Sequence, residues 1–203
     1  MPGPTAPRRT PCTRCLRPPA ACLCALVRPT AHRTEVLVLQ HPQEQRQAKN
    51  SVRLLRLSLA HCEVVVGERF EPAALRALLQ RPGRATRLLY PAVPAAPAPP
   101  SPATPAGTPL RLVVIDATWR TRWRRLPEPP PRGALRRLSL PGPAPTSHGA
   151  LGGGGGPDQV STLEATVQAL AMLEGPSFDG APLLEAFDGF VAGLAARQRA
   201  GPA

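Results

Sequence analysis

The run Leu110-Arg-Leu-Val-Val-Ile-Asp116 limits the fold of this chain more than any other feature. A strand with one solvated face alternates apolar and polar residues. This stretch does not, so both of its faces must be covered, which calls for helices on both sides of a parallel or mostly parallel sheet. Val36–Gln40 (VLVLQ) and Glu63–Val66 (EVVV) read as companion strands, and Arg87–Tyr90 (RLLY) and 135–141 (LRRLSLP) as shorter ones. Helical periodicity falls between them, at 50–62, 71–81 with Pro72 in its first turn, 118–126, 160–175 and 182–198. Strands alternating with helices give an α/β class, in which ligands gather beyond the C-terminal ends of the strands. Two of those ends carry polar groups, Asp116 after one strand and His41 after another.

The N-terminal segment has a different source of order. Cys12, Cys15, Cys22 and Cys24 lie within 13 residues, spaced C-x2-C and C-x-C. Four thiolates so placed close a tetrahedral zinc site and can fold a segment too short for its own core. Four protein ligands leave no open position, so such a zinc is structural. Arg14 and Arg17 favour the thiolate form. Cys62, far from the cluster, reads as an ordinary buried thiol. The expected organisation is a tail and four-cysteine zinc segment over 1–34 and a catalytic domain over 35–203. Within that domain lie a Pro-rich insertion at 91–109 and a glycine loop at 152–156.

Charge narrows the partner. The chain carries +12 over 203 residues, from 24 Arg and one Lys against 13 acids. Residues 1–60 hold +8 and 111–140 hold +6, while 158–203 hold −4. A GC-rich genome accounts for Arg in place of Lys but not for this asymmetry, which fits a polyanion such as RNA. No run of about 18 apolar residues exists, so no membrane span is expected. The basic N-terminus lacks an apolar stretch behind it, unlike a secretory signal. A cytoplasmic protein with reduced cysteines is expected, with no obligate protein partner evident.

Three further clusters carry chemistry. Asp116-Ala-Thr118-Trp119 ends the strongest strand, and Arg120, Arg122, Arg124 and Arg125 follow. The acid can serve as a base and the indole can stack on a base or an adenine ring. Equally, Asp116 and Thr118 can simply cap a helix, with Trp119 in the core. Ser161-Thr162-Leu-Glu164 has capping-box spacing, and a helix N-terminus after glycines also seats a carboxylate or ribose. His41-Pro-Gln-Glu44, with Asn50 and Arg53 downstream, forms a plausible site edge.

Taken in order, these elements resemble the DTW-domain family. The resemblance rests on the four cysteines, His41 and Glu44, Asn50-Ser-Val-Arg53-Leu54, Leu88-Leu89-Tyr-Pro91, Asp116-Ala-Thr118-Trp119, and Ser161-Thr162-Leu-Glu164-Ala165. It spans roughly residues 12–175. It implies a SPOUT-like sheet with a C-terminal trefoil knot, and transfer of the 3-amino-3-carboxypropyl group of S-adenosylmethionine to N3 of a tRNA uridine. By the same resemblance, Asp116, Thr118 and Trp119 act at the reacting atoms. Leu89, Pro91, Ser161, Thr162 and Glu164 line the cofactor. His41, Glu44, Asn50, Arg53, Arg120, Arg122 and Arg124 face RNA. The chain departs from the family at Ser51 and Val52, where relatives carry Thr and Gly, and at Gly149 and Gly152, where they carry Tyr and Arg. An RNA methyltransferase and a non-catalytic zinc-stapled RNA-binding protein are the alternative expectations.

Overall fold

A computed structural model of the chain describes residues 10–89, 107–116, 135–140 and 160–200. Its centre is a pair of parallel strands, β1 (Glu35–Gln40) and β4 (Leu110–Ile115), with Val36 opposite Leu112 and Val38 opposite Val114. β2 (Cys62–Val66) adds to the free side of β1, β3 (Ala85–Leu89) to the free side of β4, and β5 (Arg136–Leu138) beyond β3. The order is β2-β1-β4-β3-β5, and every pairing is parallel. Both faces are covered, as the unbroken apolar runs require.

One face carries Val36, Val38, Leu112 and Val114. It packs against α2 (Val52–Ser58), α4 (Thr162–Glu174) and α5 (Ala181–Ala200) through Leu54, Leu55, Leu163, Leu170, Leu183, Phe187 and Phe190. The other carries Leu37, Leu39, Val113 and Ile115 under Leu75 and Leu79 of α3 (Pro72–Leu79). With so few aromatics, branched aliphatics fill both layers. Cys15, Leu23 and Val27 of the cysteine segment join the first core, so that segment is bonded into the sheet's own packing. α5 closes on it at Gly189, where a Cβ would lie 3.0 Å from Leu26 Cδ2.

The expected elements appear with shifted ends. The helix expected over 50–62 stops at Ser58, because Leu59 turns extended, is buried and bridges to Thr30. The strand expected over 135–141 is paired only over Arg136–Leu138. A one-turn helix, α1 (Pro42–Gln45), follows β1 where the sequence was read only as a polar site edge; Pro42 in its first turn is the signal. The helix expected at 118–126, most of the Pro-rich insertion, the glycine loop and the path of any knot lie outside the described residues. Among the described residues no helix is long and apolar enough to cross a membrane.

The connection leaving β1 goes to β2 on one side, and the chain leaving β4 goes to β5 on the other. The C-terminal ends of β1 and β4 are therefore a topological switch point, where an open parallel sheet forms a crevice.

Candidate functional site

At that switch point four segments converge on one carboxylate. Asp116 follows β4, and its amide donates to Leu39 O at 3.1 Å, prolonging the ladder by one rung. Its side chain is only 3% exposed. Oδ2 accepts from Gln40 Nε2 at 3.1 Å and from Asn50 Nδ2 at 3.0 Å, and Oδ1 accepts from the Thr162 hydroxyl at 2.6 Å. The three donors come from the end of β1, the loop before α2 and the first residue of α4, and all are buried. A carboxyl group this deeply buried needs hydrogen-bond donors, and this set supplies three of them. The arrangement fixes the position of this carboxyl group at the C-terminal ends of β1 and β4.

The groups around it are equally fixed. His41 caps α1, its Nδ1 accepting from the Gln43 amide at 3.2 Å, so the neutral ring carries its proton on Nε2. Glu44 lies half-buried in the same turn. Ser161 and Glu164 form the complete capping box: the Glu164 amide donates to Ser161 Oγ at 3.1 Å, and the Ser161 amide to Glu164 Oε2 at 2.9 Å. Thr162, one position on, turns its hydroxyl to Asp116. The cap thus sets the angle at which α4 delivers a donor to the site. Leu89 ends β3 and packs into the first core. Thr118, Trp119, Arg120, Arg122, Arg124 and Pro91 lie outside the described residues.

Two positions bonded into this cluster were not among the expected site residues. Gln40 is the polar end of an apolar strand, a signal present in VLVLQ itself. Arg17 was read as a partner for thiolates. Against the effect of burial, its backbone amide does help lower the Cys15 thiol, and its guanidinium also donates to Ala48 O at 2.8 Å and Asn50 O at 2.9 Å and lies over Phe190 of α5, 5.1 Å from the ring centre. Burial lowers its pKa, with Arg53 and Arg197 adding to the effect. Arg53 donates to Cys15 O at 2.6 Å. Arg17 thus ties the cysteine segment to the loop that carries Asn50, and Arg53 ties α2 to the same segment.

The four sulfurs of Cys12, Cys15, Cys22 and Cys24 lie within 4.8 Å of one another, with Cys12 to Cys24 and Cys15 to Cys22 both at 3.6 Å. A tetrahedral zinc with bonds of about 2.3 Å sets sulfurs about 3.8 Å apart, so the donor set fits that ion. The amides of Cys15 and Arg14 pull the Cys12 thiol down to about 6, whereas desolvation and the neighbouring sulfurs push Cys24 up to about 12. Thiols this close cannot all ionise without a cation among them.

Known proteins match this chain along most of its length. The DTW domain family model matches residues 9–195. A Drosophila melanogaster tRNA-uridine aminocarboxypropyltransferase 2 is 31% identical over 181 residues, covering 82% of this chain and 68% of that protein. Proteins of the same name from Macaca fascicularis and Mus musculus are each 32% identical over 126 residues, 59% of this chain and 42% of theirs. No solved structure gives a significant match.

Proposed function

Because this chain belongs to the DTW-domain family, we propose that it transfers the 3-amino-3-carboxypropyl group of S-adenosylmethionine to N3 of a uridine in tRNA, releasing methylthioadenosine. The curated relatives are named for transfer of an aminocarboxypropyl group to a tRNA uridine. The observation that carries the reading to this chain is the buried carboxylate at the switch point, held by Gln40, Asn50 and Thr162.

When bound, S-adenosylmethionine supplies a γ-carbon next to a sulfonium, a leaving group that departs neutral. A bond forms from N3 to that carbon as the carbon–sulfur bond breaks, and the N3 proton must go. Asp116 is the base we assign to that proton; its three donors fix the carboxylate so that no reorganisation is needed as the reaction proceeds. The rest of the catalysis is orientation of N3 in line with the γ-carbon. Ser161, Thr162 and Glu164 form the rigid N-terminus of α4, whose dipole suits the carboxylate of the methionine moiety. Leu89 and Pro91 complete the cofactor wall, Thr118 and Trp119 hold the base, and the His41–Glu44 turn, Asn50, Arg53, Arg120, Arg122 and Arg124 line the RNA approach. The SPOUT-like knot belongs to the same proposal, as does a structural zinc on the four cysteines.

The test is one incubation of the purified protein with S-adenosylmethionine and unmodified tRNA, followed by mass spectrometry of nucleosides and small products. Aminocarboxypropyl-uridine with methylthioadenosine is the expected result. S-adenosylhomocysteine with a methylated base would replace this reading by methyl transfer. No product from a sample that binds tRNA and zinc would leave a binding protein, with Gly149 and Gly152 as the first positions to restore to Tyr and Arg.

A further inference from the structure

The polar end of β1 uses only half of its side-chain amide. Val36, Val38 and Gln40 alternate onto the face that α2, α4 and α5 cover, so Gln40 stands where the pattern calls for another apolar residue. It is buried, and its backbone is fixed: the Gly67 amide donates to Gln40 O at 3.0 Å. Its Nε2 donates to Asp116 Oδ2 at 3.1 Å. Asn50 Nδ2 donates to the same oxygen, which is therefore an acceptor, and the contact fixes which way round the Gln40 amide lies. No donor among the described residues meets Gln40 Oε1. Nor is that oxygen sealed in: among the described residues the buried side-chain atom without a partner is Arg111 Nε, so Gln40 Oε1 keeps a face open to a ligand.

An amide that only anchored Asp116 would carry an unmet acceptor into a covered site, at a cost in folding free energy. Its missing partner must be a donor. Donation toward Asp116 also strengthens the oxygen as an acceptor, because linked hydrogen bonds polarise one another, and such an oxygen binds a charged donor best. In the proposed reaction, the uracil N3–H fits poorly: an acceptor that cannot take the proton holds it on the base. The α-ammonium of the methionine moiety fits well. It stays protonated and is carried to the product unchanged. Its carboxylate neighbour falls, in the same proposal, to the N-terminus of α4, whose first residue, Thr162, bonds the same Asp116. Asn50 belongs to the loop assigned to the RNA approach, which leaves Gln40 for the cofactor.

We propose that Gln40 Oε1 holds the α-ammonium of the methionine moiety of S-adenosylmethionine. The end of β1 and the start of α4 then read the two charged groups of the amino-acid end together. The proposal rests on S-adenosylmethionine being the donor, and it gives Gln40 a contact with the cofactor that is separate from its hold on Asp116.

The experiment uses two adenosine thioethers that differ by one group, the 5′-(3-aminopropylthio) and the 5′-propylthio compounds. Their affinities are measured by calorimetry on the full chain and on Gln40→Met, which keeps the length and loses both polar atoms. The parent is expected to bind the amine about 10- to 100-fold more tightly, the range of a hydrogen bond to a charged group. Gln40→Met should bind the two within about twofold of each other and hold the propyl compound as the parent does. In the parent, the side-chain amide resonances of Gln40 should move with the amine and stay put with the propyl compound, a readout that needs no variant. Equal affinity of the parent for the two compounds would overturn the proposal. So would a preference for the amine that Gln40→Met retains, including the case where that variant loses tRNA binding instead. Should Gln40→Met melt early or lose both compounds, the resonances decide: moved by the amine they uphold the proposal, unmoved they overturn it. If the parent binds neither thioether nor S-adenosylmethionine, the transferase reading fails and the Gln40 contact with it. If the parent makes methylthioadenosine but shows no preference for the amine, the enzyme stands and the Gln40 contact fails.

Discussion

Asp116 concentrates the chemistry, and its three donors make its substitutions informative in opposite ways. Asp116→Ala removes the acceptor from three buried donors and should cost about 2–4 kcal/mol in thermal or urea melts. Asp116→Asn keeps the shape. Its carbonyl oxygen can accept from Gln40 and Asn50, and its amide can donate to the Thr162 hydroxyl, which turns to accept. That variant should melt within about 1 kcal/mol of the parent, yet lose about 10²–10⁴ in methylthioadenosine formation if the carboxylate takes the N3 proton. Parental turnover in a stable Asn variant would leave Asp116 as an anchor only. Cys62 makes a contrasting residue-level case. Burial pushes its thiol up to about 12, so at pH 8 it stays protonated and is no nucleophile. Iodoacetamide at pH 8 should leave the Cys62 peptide unmodified in the native protein and label it in urea. Rapid native labelling would show that the strand opens.

Between elements, the connection with most consequence runs from the cysteine segment to the site. Arg17 grips the carbonyls of Ala48 and Asn50, and the side chain of Asn50 grips Asp116. Arg17→Lys keeps the charge but cannot reach both carbonyls as a fork does. It should raise amide exchange in residues 46–52 and lower turnover about tenfold, equivalent to about 1.4 kcal/mol of transition-state positioning. Turnover that falls with no change in exchange would point to a direct role in RNA binding instead. This linkage was not legible in the chain, because it joins residues more than thirty positions apart. The local elements were: VLVLQ and LRLVVID declared buried parallel strands by their unbroken apolar runs, and Ser161 and Glu164 declared a cap by their spacing. The helix end at Ser58 was hidden because a long-range bridge from Leu59 to Thr30 decides it, against a Leu-rich pattern that continues. Asp116 could be picked out as the polar end of a buried strand, but which groups surround it follows from strand order, which no local pattern contains.

On the scale of the whole molecule, the cysteine segment and the sheet do not separate into independent units. Cys15, Leu23 and Val27 belong to the core that includes Phe187 and Phe190 of α5, Leu54 of α2 and Val36 and Leu112 of the central strands. Arg17 lies against Phe190 and Leu26 against Gly189, so the C-terminal helix rests on the segment from above. A metal that orders residues 12–24 therefore stabilises a surface on which α5 and α2 also depend. If the four thiolates hold zinc as proposed, the metal binds their folded arrangement far better than the unfolded one, and its binding free energy adds to the stability of everything folding with it. Removal of zinc with a chelator should accordingly lower the single melting transition of the whole chain, by far-UV circular dichroism and hydrogen exchange alike, and abolish turnover reversibly on return of zinc. Cys15→Ser should reproduce the chelated state, since its sulfur is the fully buried one of the four. Were the segment a mere appendage, chelation would instead raise exchange in residues 12–27 alone and leave the sheet's melting temperature and the Asp116 site untouched.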